Sequence, residues 1–265
     1  MKNLSLATIF AAASGFVVMW IASWALDAEH GYNSFLAYWG LFFACTGLID
    51  GITQETTRAV AASRETQVRG SANPWKLGAA IGAALAAVVL LVGLFAMGRI
   101  VPTHPGTATG LLAFGLLSYA FQAVLSGILS GSGLWNRYAA LVALDSGVRL
   151  VLAVVVWALG GGLVEFLAIT VIGALSWAVI LALAPVRVQL DVDRGAFVRR
   201  VGSAMVASGA SAALITGFPT AASAAFPAAT AGATVAAVNN AVMLTRAPVL
   251  VPLQRFQSAL VVRFV

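Results

Sequence analysis

Charge is what this sequence has least of. Only 9% of its 265 residues are Asp, Glu, Lys or Arg, against about 25% in an ordinary soluble domain. With 61% hydrophobic residues and a mean hydropathy of +0.96, the chain cannot cover itself with polar surface. That excludes a soluble enzyme, a secreted disulfide scaffold and a disordered chain. Cysteine is nearly absent: Cys45 stands alone in an apolar run and cannot close an internal disulfide. The two histidines, His30 and His104, fall in loops, and no Cys/His group has zinc spacing. Catalytic signatures are missing too. There is no nucleophile elbow, no HExxH, no Walker loop and no GxGxxG between strand and helix. Asp27 and Glu29 are the only acids in the first outer loop, short of the acidic cluster that a membrane glycosyltransferase carries. No enzyme activity, metal or cofactor is therefore expected. The net charge of +6 comes from basic residues that flank apolar runs rather than alternate with aromatics, so nucleic acid is not an expected partner.

Long apolar runs fill the space these absences leave. A helix needs about 20 apolar residues to cross about 30 Å of hydrocarbon. Six segments meet this clearly: Ser5–Leu26, Ser34–Thr53, Leu77–Met97, Thr107–Ser130, Ala139–Leu159 and Leu163–Ala184. Two weaker ones come after them, Val201–Phe218 and Ala228–Leu253. Backbone polar groups in lipid must be bonded internally, so these are expected to be helices, and the short alternating strands of a barrel are missing. The first run has no charge over 22 residues, longer than the 7–15 of a cleavable signal, and reads as a retained span. The fold expected is thus an all-α polytopic membrane bundle of about eight transmembrane helices.

Orientation is set by Lys and Arg. Lys2 precedes the first span. Arg58, Arg64, Arg69 and Lys76 come after the second, Arg137 after the fourth, and Arg187, Arg194, Arg199 and Arg200 after the sixth. The alternate loops carry only Arg99. The N-terminus is therefore expected on the cytoplasmic side, with the loops after spans one, three, five and seven outside. The polar stretch at 186–200 reads as a cytoplasmic linker. It divides a six-helix lobe at 1–185 from the first two helices of a second lobe at 201–265. The chain stops at Arg263-Phe264-Val265 directly after an apolar stretch, which reads as the front part of a longer protein.

Ionisable residues within spans are the candidates for function, because a charge at membrane depth costs several kcal/mol and faces a bundle interior or a wet cavity. Asp145 and Arg149 lie four apart in span five, on one helix face. Two readings stay open: a hydrated pathway that meets a charged substrate or coupling ion, and a self-neutralising pair that staples helices. Asp50 lies toward the cytoplasmic end of span two, either as a cation or proton site or as an interface residue. Glu165 opens span six, where a carboxylate suits the helix N-terminus. Gln122 in span four and Asn239-Asn240 in span eight can bond across helices or line a cavity. Arg246 lies later in span eight, just before a proline that kinks the helix. Gly78/Gly82 and Gly127/Gly131 are GxxxG pairs that permit close helix contact. The seven tryptophans mostly lie near span ends, as in an aromatic belt.

Several stretches carry a resemblance. Tyr38-Trp39-Gly40-Leu41 opens span two, which runs on through Gln54-Glu55-Thr56-Thr57-Arg58. Span four ends in Gly127-Ile128-Leu129-Ser130-Gly131-Ser132-Gly133, followed by Trp135-Asn136-Arg137-Tyr138-Ala139. The late stretch reads Val238-Asn239-Asn240-Ala241-Val242-Met243-Leu244-Thr245-Arg246-Ala247-Pro248. Together these resemble the polysaccharide-transporter branch of the multidrug and lipid-linked oligosaccharide flippase superfamily. The resemblance implies two lobes of a 12- to 14-span protein, with substrate crossing between them by alternating access. It implies a multi-pass protein of the cell inner membrane, whose partners are the bilayer, a lipid-linked saccharide and a second lobe or second copy. It further implies that Arg149 and Arg246 are cavity cations, with Gln122, Asn239 and Asn240 as cavity polar groups, and that Asp50 and Asp145 are ion-coupling candidates. Two departures stand out: one lobe plus two helices are present, and span one has no charged residue. The rival readings are a multidrug or small-cation exporter of the same superfamily and a non-transporting subunit packed beside an enzyme.

Overall fold

The computed structural model describes residues 2–26, 31–66, 70–186, 188, 190–216 and 241. Within them all regular structure is helical, with no strand. The elements are α1 (Lys2–Ala25), α2 (Asn33–Thr66), α3 (Pro74–Ile100), α4 (Pro105–Gly131), α5 (Trp135–Ala158), α6 (Leu163–Ile172), a 3₁₀ turn (Gly173–Leu175), α7 (Ser176–Leu183) and α8 (Arg194–Thr216). Among the described residues six helical stretches are long and apolar enough to cross a membrane, with α6 to α7 counted as one. They coincide with the six clear spans read from the sequence, and the chain is an all-α multi-pass membrane protein. The eighth expected span, with Asn239, Asn240 and Arg246, lies outside the described residues apart from position 241.

Three elements differ from the expectation, each for a physical reason. First, α2 runs 34 residues to Thr66, about 50 Å at 1.5 Å per residue, and so outreaches the hydrocarbon layer. Its polar end stays helical because Arg58 and Glu55 pair three residues apart (2.8 and 2.6 Å) and Thr57 shares a hydrogen bond with Ser130 of α4 (2.7 Å). Second, the sixth span is broken at Gly173–Leu175. Third, α8 begins at Arg194 rather than Val201. Its first turns are anchored through Phe197 and Val201, which are fully buried in the main core.

Small residues set the helix spacing. α4 sits centrally between α2 and α3. A Cβ on Gly78 or Gly82 of α3 would meet Val124 or Ala120 of α4 at 2.6 and 2.9 Å. On the other side, a Cβ on Gly127 or Gly131 of α4 would meet Thr56, or the carbonyl oxygen of Thr57, at 2.6 Å. Both GxxxG pairs thus face a neighbouring helix, where only hydrogen fits. A third such pair, Gly47/Gly51 on α2, faces α8 in the same way. Turns obey local rules. Asn73 caps α3 through Lys76 N–H (3.1 Å), with Pro74 in the first turn. The carboxylate of Glu165 accepts from Gly162 N–H (2.9 Å), as its position at the start of α6 suggests. Gly133 and Gly160 take φ of 70° in the turns that bracket α5, a conformation other residues rarely adopt.

The faces turned to lipid are apolar. α3 presents Leu94 and Phe95 almost fully. Trp20, Trp24 and Trp157 form an exposed ladder with ring centroids 6.3 and 6.1 Å apart, as an aromatic belt requires. Trp39, by contrast, is buried between Phe35 and Phe43.

Candidate functional site

The break in the sixth span organises the lobe interior. In a helix of regular α pitch each carbonyl is taken by an N–H four residues on. At Gly173–Leu175 the bonding tightens, so that Ser176 N–H bonds to Gly173. Two side chains reach main-chain oxygens at this point. Arg149 Nε of α5 donates to the Thr170 carbonyl (3.1 Å). Ser118 Oγ of α4 donates to the Ala174 carbonyl (2.8 Å) and accepts from Trp177 Nε1 (3.0 Å). The 3₁₀ turn is thereby held from both sides.

Arg149 and Asp145 form a buried ion pair, with Arg149 Nη1 donating to Asp145 Oδ2 at 2.9 Å. The residues are 5% and 7% exposed. The guanidinium carbon lies 5.3 Å from the Phe43 ring centroid and 5.9 Å from that of Phe42. Aromatic faces stabilise a desolvated cation by up to about 2 kcal/mol. Gly173 closes the remaining side: a Cβ there would come within 2.6 Å of Arg149 Nε and 2.7 Å of Asp145 Oδ1. Asp145 Oδ1 and Arg149 Nη2 have no hydrogen-bond partner among the described residues. The pair is charge-balanced and pressed against the 3₁₀ turn at Gly173.

A second polar constellation runs along the α2–α4 contact. Tyr119 donates to Asp50 Oδ1 (2.9 Å), and Thr53 Oγ1 donates to the Ala123 carbonyl (3.2 Å). The Tyr119 ring also meets Phe42 edge to face (6.4 Å). Phe42 therefore lies between the two acid-bearing groups. Gln122, one turn beyond Ser118 on α4, is buried and its Oε1 has no partner among the described residues. Tyr119, Thr170, Gly173 and the Phe42-Phe43 pair were missed by sequence reasoning. A hydroxyl, a carbonyl and a ring carry no signal of their own until packing sets them beside a charge. Gly173, in an apolar run next to Ala174, was the one legible hint of a break.

A third cluster lies where the loop before α3 meets the segment before α8. Gly70 N–H bonds to the Leu190 carbonyl (2.7 Å) and Ala72 N–H to that of Val192 (3.1 Å). Ser63 Oγ donates to Asp191 Oδ1 (2.9 Å) and accepts from Asp191 N–H (3.0 Å). Ser71 repeats this, donating to Asp193 Oδ1 (2.8 Å) and accepting from Arg194 N–H (3.0 Å). Asp193 Oδ2 also accepts from Gly195 N–H (2.9 Å). The Ser71 hydroxyl first, and then these backbone N–H groups, hold the Asp193 carboxyl below its ordinary value.

No family model matches the chain. It is 32% identical over 269 residues to the uncharacterized protein Mb3654 of Mycobacterium bovis, a match covering 98% of the chain and 61% of that protein. It is 33% identical over 272 residues to the uncharacterized protein Rv1510 of Mycobacterium tuberculosis, again covering 98% of the chain and 61% of the relative. The chain thus spans about three-fifths of the length of the curated relatives it matches. Among solved structures, it superposes on a MOP superfamily transporter from Pyrococcus furiosus, described as having a binding pocket of reverse polarity. The TM-score is 0.65 at 18% identity, over 98% of this chain and 63% of that one. It also superposes on a MATE protein solved in complex with MaD3S, with a TM-score of 0.61 at 18% identity, over 99% of this chain and 67% of that one. The chain has the fold of these transporters.

Proposed function

We propose that the chain is the larger part of a two-lobe transporter that moves a lipid-linked saccharide or polysaccharide precursor across the membrane by alternating access. The carrying observation is the fold likeness, which extends over 98% of the chain. On this reading residues 1–185 are the first lobe, 186–200 the connection and 201–265 the beginning of the second lobe. The N-terminus is cytoplasmic and the membrane is the cell inner membrane. On this reading Arg246 is the cation that meets an anionic cargo, since guanidinium groups bind phosphate in charge-assisted pairs.

The proposed cavity groups are Arg149, Gln122, Asn239, Asn240 and Arg246. Arg149 is engaged by Asp145 and Thr170, so its part is to hold the 3₁₀ turn that shapes the cavity wall, and direct contact with the pyrophosphate falls to Arg246. Asp50 and Asp145 are the proposed ion-coupling carboxylates. Asp50, on α2 and bonded to Tyr119, also suits an exporter of small cations, and this is the rival reading.

The test uses the full-length protein in proteoliposomes loaded with a fluorescent polyprenyl-pyrophosphate oligosaccharide on one leaflet. Protection of the sugar from periodate reports its crossing. Crossing that is lost in Arg246→Ala supports the proposal. No crossing, together with uptake of a cationic dye driven by a proton or sodium gradient, would establish the exporter instead.

A further inference from the structure

α8 differs along its length in how it is held to the rest of the molecule. At its start, the segment before it is fixed by two main-chain hydrogen bonds and by the Ser63–Asp191 and Ser71–Asp193 bridges, each serine also accepting a backbone N–H, from Asp191 and Arg194 respectively. A Cβ on Gly70 would collide with the backbone at Val192, so main chain lies directly on main chain there. Leu190, Phe197 and Val201 are fully buried in the core that α2, α3 and α4 share.

Past Val201 the attachment changes character. Gly202 and Ser203 continue the exposed outward face that Val198, Arg199 and Arg200 begin, and a Cβ on Gly202 would meet nothing within 4 Å. From Met205 onward α8 rests on α2 through small groups: Gly51 against the Met205 backbone, Gly209 against Leu48, and Gly47 against Ala212. Ser208, which bonds mainly to its own helix, reaches the Leu48 carbonyl at 3.4 Å. Such a seam is close in shape, with Leu48 seated on Gly209 and Ala212 buried on Gly47, but it has no ion pair among the described residues. Glycine next to serine is also where helices bend, because glycine leaves the helix weaker by about 1 kcal/mol than alanine does.

We infer that the mobile boundary of the first lobe lies inside α8 at Gly202–Ser203, with residues 190–201 a fixed part of that lobe and the glycine seam beyond them a separable contact. The inference rests on the two-lobe reading for its role in transport, but not for its physical content. The polar linker is then an anchor rather than a hinge. Opening would part Gly47 and Gly51 from α8 while leaving the Ser71–Asp193 bridge intact.

The test measures amide exchange in the full-length protein in nanodiscs, without substrate, on a Cys45→Ser background. Residues 203–212 should exchange faster than 194–201. A Ser71→Cys/Asp193→Cys disulfide should leave that pattern unchanged. A Leu48→Cys/Gly209→Cys disulfide should suppress exchange at 203–212. The two positions are near enough to be bridged after a small outward shift, since a Gly209 Cβ would lie 3.3 Å from Leu48 Cβ, just below the range of about 3.5–4.5 Å that disulfides take. Gly202→Ala, which fits without collision, should slow exchange at 203–212 about fivefold. Equal exchange on both sides of Gly202, or suppression by the 71–193 disulfide as strong as by the 48–209 one, would overturn the inference. Absence of saccharide crossing would leave these exchange results standing and sink only the transport reading.

Discussion

Gly173 and Arg149 are in such close contact that hydrogen is the only side chain position 173 can carry. A Cβ there would stand 2.6 Å from Arg149 Nε and 2.8 Å from its Cζ. The 3₁₀ turn of the sixth span and the cation of the fifth are therefore one structural unit. Gly173→Ala should force the guanidinium away from the Thr170 carbonyl and lower stability by about 1–3 kcal/mol, the range for overpacking a tight core. Thermal denaturation in detergent checks it, with Gly98→Ala as the comparison. Nothing lies within 4 Å of a Cβ at Gly98, so that change should be neutral or slightly stabilising.

The ion pair itself should show strong coupling. Removing one member of a buried pair costs about 3–5 kcal/mol, because the other is left charged and unpaired. Arg149→Met and Asp145→Asn should each destabilise on that scale, and the double variant by clearly less than the sum of the two. A double-mutant cycle by chemical or thermal denaturation measures this. Additive losses would mean that the two charges act independently, against the 2.9 Å contact.

The Ser71–Asp193 bridge should be sensitive to acid. The carboxyl of Asp193 is held below its ordinary value by the bonds it accepts, and an unperturbed aspartate titrates near 3.9. A lowered folded value means stabilisation that is fully present above the unfolded value and lost as pH falls through the folded one. Exchange of the Arg194 and Gly195 amides should thus be constant from pH 7 to about 5, after correction for intrinsic rates, and accelerate below about 4. Asp193→Asn should flatten that acid response.

Gly51 makes a sharper demand than Gly47. A Cβ at 51 would strike the Met205 backbone, whereas one at 47 would strike the Ala212 side chain. Gly51→Val should therefore detach the outer part of α8 and expose it to protease, while Ala212→Gly should partly rescue Gly47→Ala. Limited proteolysis in nanodiscs would read both. Resistance of Gly51→Val equal to that of the parent protein would argue that α8 packs elsewhere in the bilayer.

Orientation has its own test. Reporter fusions after Gly161 and after Asp193 should lie on opposite sides of the membrane, with alkaline phosphatase active only at the first. The arginine distribution predicts this phase. The reverse pattern would place the Ser71–Asp193 cluster outside.

The first six spans were legible because lipid leaves the backbone no alternative to a helix, so an apolar run of sufficient length fixes its own structure. The glycine spacings were legible as small-residue pairs but not as contacts. Nothing in Gly78 or Gly127 says which neighbour comes close, and Gly47/Gly51 drew no notice although it faces α8. Asp145 and Arg149 could be paired from their spacing of four, since an α-helix places those positions together.

Tertiary structure alone decided what the pair does. It brought Thr170, Phe42 and Phe43 from two other helices around the guanidinium, and these residues carry no charge or motif that a one-dimensional reading can follow. It also anchored the polar stretch read as a cytoplasmic linker, because the partners of Asp191 and Asp193 are serines more than a hundred residues away. Local forces of the bilayer wrote the first six spans into the sequence. Their neighbours, their breaks and their fixed points depended on shape complementarity between distant segments, which exists only once the chain has packed.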